Sequence, residues 1–437
     1  MAIELFPIQQ KAVSKLVGAL REKNCAVNAS QTGTGKTLMG LRVSRELGLA
    51  PLVVAPLAAH GAWEAWSRDL GIPVLGIINP ERLRTGRTEW VAEAGPKNYQ
   101  WRLNRLGHMV LWDEIHRGVS GVRTQTGAMA AMLRPQGIKT LLMSATPFSS
   151  PLNMRASGYL LGLHRFAQSD FYAWCARHGC TRSPWHRGYE FKPESSRAQF
   201  HLGLIREAIQ DRLVRLTVDD MKEFFPESVV EPALISLSDR DTSEIEAIYA
   251  EMEEKVRREH HPMPMVELLR ARQRAELLSV PAVAEMVQDS LEEGNSVYVN
   301  GSFLGSVARL REQLAGLGID DVRVLTGNTN PPERKSMERD FQADGFRVFL
   351  ASEAGGMSIS LHRVREEQRP RTSIIRPTYK ADALQQALGR IYRSGGVLHT
   401  PVVQRIVLVA GTVEERVYRR LQAKCRNIAA LVDSDLE

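Results

Sequence analysis

Residues 30–37 read SQTGTGKT, directly after the apolar run AVNA (26–29) and directly before LMGLRVSREL (38–47), which has helical periodicity. A strict phosphate-loop pattern has Gly where Ser30 stands, yet the physics of the turn is the same. Gly33 and Gly35 let backbone N–H groups turn inward around phosphate oxygens, and the following helix N-terminus favours negative charge. In such a turn Ser30, Thr32, Gly33, Thr34 and Gly35 surround the phosphates and Lys36 neutralises the outer ones, while the Thr37 hydroxyl ligates Mg2+. Strand, Gly-rich loop and helix in that order predict an α/β unit built on a parallel sheet.

Outward from this loop the same alternation continues. Residues 7–21 are amphipathic at helical spacing, and short apolar strands are expected at 52–55, 109–112 and 139–143. Around residues 160–285 the rhythm is lost, replaced by an aromatic, Cys- and His-rich loop (171–191) and long polar helices. From Ser296 it resumes in SVYVNGS, DVRVLTG, RVFLAS, TSIIRP and VVQRIVLVA. The fold class expected is therefore α/β, two α/β units flanking a helical insertion, with boundaries at 1–160, 161–285 and 286–437.

The 437 residues carry 57 Lys+Arg and 50 Asp+Glu, a net charge of +7, which gives only a faint bias toward a polyanionic partner. With 43% hydrophobic and 24% charged residues the composition excludes disordered, collagenous and coiled-coil chains. Four cysteines are too few for a disulfide framework, and the N-terminus has no basic segment followed by an apolar one. Both point to a cytoplasmic protein with no membrane partner.

A phosphate-loop NTPase needs an acid at a second strand end. HMVLWDEIH (108–116) supplies it: Asp113 to hold Mg2+ and Glu114 to polarise the attacking water, with His116 on the turn as a link to a neighbouring strand. LLMSATP (141–147) is a strand ending in Ser144 and Thr146, hydroxyls expected to bond carboxylates in the cleft. In QQALGRIYR (385–393), helical spacing would set Gln386, Arg390 and Arg393 on one face, two guanidiniums suited to stabilising a transferring phosphoryl group.

Together these motifs resemble the superfamily 2 helicases and, within them, the SNF2-like ATPases. LFPIQQKAV looks like the adenine-reading Q motif, with Gln9 in the glutamine position, and SQTGTGKT, DEIH and SATP match the next three motifs. PLAAHGAWEAW, between the phosphate loop and DEIH, resembles the SNF2 form of motif Ia, with its Trp at Trp63. LTGNTNPPERKSMERDFQ, with Thr326, Gly327 and Arg334 at its marked positions, ASEAGGMSISL, with Gly355, and QALGRIYRSG resemble the signatures of the second lobe. The loop at 171–191 is similar to that of the annealing-helicase branch, which implies a packing role for Cys175; Cys175, His178, Cys180 and His186 as a Zn2+ set is the alternative. The chain departs from SNF2 proteins at Gln31-Thr32, at Glu353, which stands where an Arg is usual, and at Ser358, which replaces a usual Gly.

The resemblance implies two RecA-like lobes, ATP and Mg2+ as cofactors, and a compact bacterial or phage enzyme. It also implies DNA, duplex or branched, bound through phosphates near 59–61, 118–121, 302, 326–328 and 358, with Arg363, Arg365, Arg369 and Arg371 adding affinity. A strand-separating 3′–5′ DNA or RNA helicase and the motor subunit of a larger complex are the alternatives. Nothing in the sequence sets an oligomeric state, and a monomer satisfies the motif set.

Overall fold

The computed structural model describes residues 4–95, 98–116, 119, 124–183, 188–192, 195, 197–259, 265–356, 359–376, 381–412, 414–415, 418–419 and 422. They divide into two compact units that meet in sequence between Met221 and Lys222. Each unit is an α/β domain with one six-stranded sheet, all of whose strand pairs are parallel. This is the architecture of two RecA-like lobes.

In the first unit the strands are β1 (Cys25–Asn28), β2 (Ala50–Val54), β3 (Gly76–Ile78), β4 (His108–Asp113), β5 (Lys139–Met143) and β6 (Leu213–Val214), in the order β6-β1-β5-β4-β2-β3. β1 is buried at every residue, as a central parallel strand covered on both faces must be. Helix α1 (Pro7–Glu22) precedes β1, α2 (Lys36–Leu47) follows it, and α3 (His60–Leu70) follows β2. In the second unit β7 (Ser228–Ile235), β8 (Ser296–Gly301), β9 (Val322–Leu325), β10 (Val348–Ser352), β11 (Arg371–Ile375) and β12 (Val402–Val409) run in the order β7-β12-β11-β8-β10-β9. Alternation along β8 sends Val297 and Val299 into one cluster, with Val283 and Leu310, and Tyr298 into another, with Phe341, Phe346 and Phe349. Both faces of this sheet are thus apolar and covered.

The connecting region is less purely helical than its sequence suggests. It holds the helices Ala198–Ile209, Asp239–Glu259 and Met265–Leu278, but it also gives each sheet an edge strand. β6 pairs with β1, Val27 opposite Leu213, and β7 pairs with β12 along its full length. β6 is held by buried arginines on either side: the Arg212 guanidinium donates to Leu161 O and Ala208 O, and that of Arg215 to Ala29 O and Ala145 O. β7 tolerates Pro232 because an edge strand has one side without ladder bonds.

Candidate nucleotide site

The loop between β1 and α2 is shaped by its glycines. Gly33 and Gly35 both have φ of +88°, a left-handed conformation that costs a residue without Cβ little. The Lys36 ammonium folds back over the turn and donates to Ser30 O at 2.9 Å and Gln31 O at 3.0 Å. Thr34 Oγ1 donates to Gln31 O, the Ser30 hydroxyl accepts from Leu216 N, and Gln31 Oε1 accepts from Val218 N. The loop is therefore tied to the chain just beyond β6. Thr37 is the second residue of α2.

Gln9 is 2% exposed and braces the loop from α1. Its Nε2 donates to Thr34 O at 2.8 Å, and its Oε1 accepts from Phe6 N at 3.0 Å. A Cβ on Gly35 would sit 2.6 Å from Gln9 Nε2, so the glutamine occupies the space that this glycine leaves. Sequence spacing shows the motif but not this contact, which joins residues 25 positions apart.

Asp113 ends β4 and Glu114 begins the turn. Asp113 Oδ2 accepts from the Trp63 indole Nε1 at 3.0 Å, and Oδ1 from Glu114 N at 3.0 Å. Burial, with the Glu114 carboxylate beside it, pushes the Asp113 carboxyl up to about 6, against the pull of the Trp63 bond and the Lys36 charge. Glu114 has φ of +50°, rare for a residue with a Cβ. Its Oε2 lies 3.2 Å from His116 Nδ1, and that nitrogen is hydrogen-bonded to Ser144 Oγ at 2.9 Å. His116 thus links β4 to the end of β5. The expectation that Ser144 bonds a carboxylate is corrected: its partners are the imidazole and Thr146 N.

In the second unit helix Ala381–Leu388 stops before the arginines. Gln386 lies on it, while Arg390 lies in the turn beyond and Arg393 past that turn, so the helical-face argument from spacing is corrected. The two guanidiniums still converge: Arg390 Nη1 donates to Ile359 O at 3.4 Å and Arg393 Nη2 to the same carbonyl at 3.0 Å. Burial and the Arg390 charge push the Arg393 guanidinium down to about 10, while Glu338 opposes the shift. Gly355 packs so tightly that a Cβ would fall 2.1 Å from Leu325 O, and Arg334 Nη1 donates to Gly355 O at 2.8 Å.

Of the nucleic-acid candidates, 118, 120–121 and 358 lie outside the described residues. His60, within 59–61, bonds Ala55 O, Ser302 N donates to Glu276 Oε1, and Thr326 N donates to Thr329 Oγ1. Part of the arginine run is turned inward, contrary to expectation: Arg371 is buried and Arg363 and Arg369 are half-buried, whereas Arg365 is exposed. Arg371 is 2% exposed, pairs with Asp344 at 2.7 Å and lies over the Phe341 ring. Arg369 donates to Asp344 O, and Arg363 to Thr400 Oγ1 and Glu366 O. Cys175 and Cys180 are buried, and His178 Nδ1 bonds Trp174 O at 2.8 Å; His186 lies outside the described residues. Among the described residues no group of three or more His, Cys, Asp or Glu is arranged to hold a metal ion, and no helix is long and apolar enough to cross a membrane.

A glycine-rich loop follows β1, an acidic pair closes β4, and the second α/β unit carries the paired arginines. Over 470 aligned positions the chain is 27% identical to a protein of Acanthamoeba polyphaga mimivirus assigned as an ATP-dependent RNA helicase, an alignment that covers 99% of this chain and 84% of that one. It is also similar to two solved structures. One is the Sulfolobus solfataricus SWI2/SNF2 ATPase core in complex with dsDNA (15% identity, TM-score 0.41, covering 100% of this chain and 98% of that one). The other is the Pyrococcus furiosus Hef helicase domain (14% identity, TM-score 0.49, covering 95% and 97%). No family model matches the chain.

Proposed function

We propose that the chain is a nucleic-acid-dependent ATPase of the SNF2-like type, which couples hydrolysis to movement on duplex or branched DNA and so remodels, anneals or branch-migrates it. The observation that carries this reading is the placing of Lys36, Asp113 and Glu114 at the carboxyl ends of β1 and β4, the two strands that flank β5. ATP with Mg2+ fits these residues: the loop is a glycine turn with a lysine folded over it, and a half-buried carboxylate of the kind a divalent cation takes stands at the end of β4. When bound, ATP would supply the phosphoanhydride bond to be broken, and Mg2+ a divalent charge that offsets the negative charge of the phosphates.

Ser30, Thr32, Gly33, Thr34 and Gly35 would hold the phosphates by their backbone. Lys36 would exchange the Ser30 and Gln31 carbonyls for phosphate oxygens. Thr37 and Asp113 would be the Mg2+ ligands, Glu114 would orient the attacking water, and Gln9 would present the adenine side of the site while bracing Thr34. Arg390 and Arg393, with Gln386 and Gly355, are the contribution we assign to the second unit. Backbone amides and hydroxyls at 59–61, 302 and 326–328 would take nucleic-acid phosphates.

A second reading, a strand-separating 3′–5′ helicase on DNA or RNA, is favoured by Gln31-Thr32 in the loop and by the RNA-helicase assignment of the mimivirus relative. ATPase rate measured with single-stranded, duplex, forked and four-way DNA and with RNA separates the two. Stimulation by duplex or forked DNA supports the first. Stimulation by single strands or RNA alone, with ATP-dependent separation of a 3′-tailed duplex, replaces it with the second.

A further inference from the structure

We infer that Trp63 is a positioning residue for the metal site: its indole N–H fixes the Asp113 carboxylate so that the carboxylate meets Mg2+ in one orientation. The inference rests on the reading of Asp113 as a Mg2+ ligand. Trp63 stands at the start of α3, is 1% exposed, and its Nε1 lies 3.0 Å from Asp113 Oδ2. Asp113 Oδ1 accepts from Glu114 N at the same distance. Each carboxylate oxygen therefore has one fixed donor and keeps lone-pair capacity for a cation.

The chemistry of the donor matters. An indole N–H orients a carboxylate without neutralising it, whereas a Lys or Arg there would compete with the metal for the same charge. The ring is also held from its far end. A Cβ on Gly40 in α2 would come 2.9 Å from Met143 Sδ and 3.5 Å from Trp63 Cη2, so a small residue inside a helix leaves room for both. α2, which begins at the phosphate loop, thus lies against both the indole that holds Asp113 and the end of β5. Partners behind a metal ligand typically set 10–100-fold of metal affinity.

The test uses Trp63→Phe, and benzothienylalanine at position 63 as an isostere that keeps the ring shape and lacks the N–H. Binding of a fluorescent ATP analogue is measured across a Mg2+ series and in EDTA, with thermal melting to confirm folding. Both variants are expected to shift the Mg2+ midpoint upward about tenfold and to leave affinity in EDTA unchanged. A wild-type midpoint in the folded isostere, or equal loss of affinity with and without Mg2+, overturns the inference and leaves Trp63 a core residue. Asp113→Asn is the reference. If it shares the wild-type Mg2+ midpoint, Asp113 is not the ligand and both readings fall; if only the Trp63 variants do, the ligand assignment stands without the positioning role.

Discussion

In the proposed hydrolysis Lys36 and Glu114 have different roles, and substitution should separate them. Lys36→Ala removes the charge that now rests on Ser30 O and Gln31 O, so nucleotide affinity and hydrolysis both fall. Glu114→Gln keeps the shape of the turn and removes the base, so hydrolysis drops by roughly 10²–10⁴ while nucleotide binding survives. Single-turnover hydrolysis and equilibrium nucleotide binding on both variants check this; full ATPase in either one would refute the assignment. A third residue carries a pH signature. Burial, with Arg393 and Arg371 nearby, pushes the His362 imidazole down to about 4. The native state thus holds it neutral, and the unfolded chain takes up the proton first as pH falls below about 6.5. Stability should fall from pH 6.5 to about 4 and level off below, by roughly 2–3 kcal/mol for a group that is part-buried. Urea melts of His362→Gln should show a flatter slope across that window, and an unchanged slope would mean the imidazole titrates freely.

At the scale of elements, the pieces that bind chemistry are strand ends and the turns beyond them. β1, β4, β5, β8, β10 and β11 were legible as short apolar runs, because a parallel strand buried on both faces leaves no room for polar alternation. β6 was not, being two residues long, and β7 was not, because Pro232 argues against a strand unless it lies at an edge. The spacing of Gln386, Arg390 and Arg393 suggested one helical face, yet the helix ends at Leu388, just before Gly389, and the shared Ile359 carbonyl does the gathering instead. Trp63 was visible as a motif position, but its bond to Asp113 spans 50 residues and belongs to the fold, not to any local pattern. One consequence is measurable at Gly355. With Leu325 O 2.1 Å and Thr326 Cα 2.9 Å from its Cβ position, Gly355→Ala must push backbone against backbone. A loss of about 2–4 kcal/mol is expected in chemical denaturation. A wild-type midpoint would mean that the loop relaxes freely.

For the whole molecule the question is where a chain with a net charge of only +7 would grip a polyanion. The run from Arg363 to Arg371 is rich in arginine, and sequence alone made it a candidate for the nucleic-acid surface. The fold turns part of it inward: Arg371 is buried against Asp344 and Phe341, and Arg369 and Arg363 donate to neighbouring backbone and hydroxyl groups, while Arg365 is exposed. Charge that is neutralised inside a unit cannot release counterions from a nucleic acid, so it leaves the salt dependence of binding alone. Arg371→Ala should therefore act on stability. It strands Asp344, whose side chain is 18% exposed, without its partner, and removing one member of a buried pair costs about 3–5 kcal/mol. Binding of a labelled duplex by the folded variant, followed by fluorescence anisotropy across a salt series, should keep the wild-type slope of log affinity against log salt. A slope shallower by about one would show that Arg371 reaches a phosphate. An unchanged slope with a lowered unfolding midpoint would assign the grip to backbone amides, hydroxyls and other cations, and this arginine to the core of the second unit.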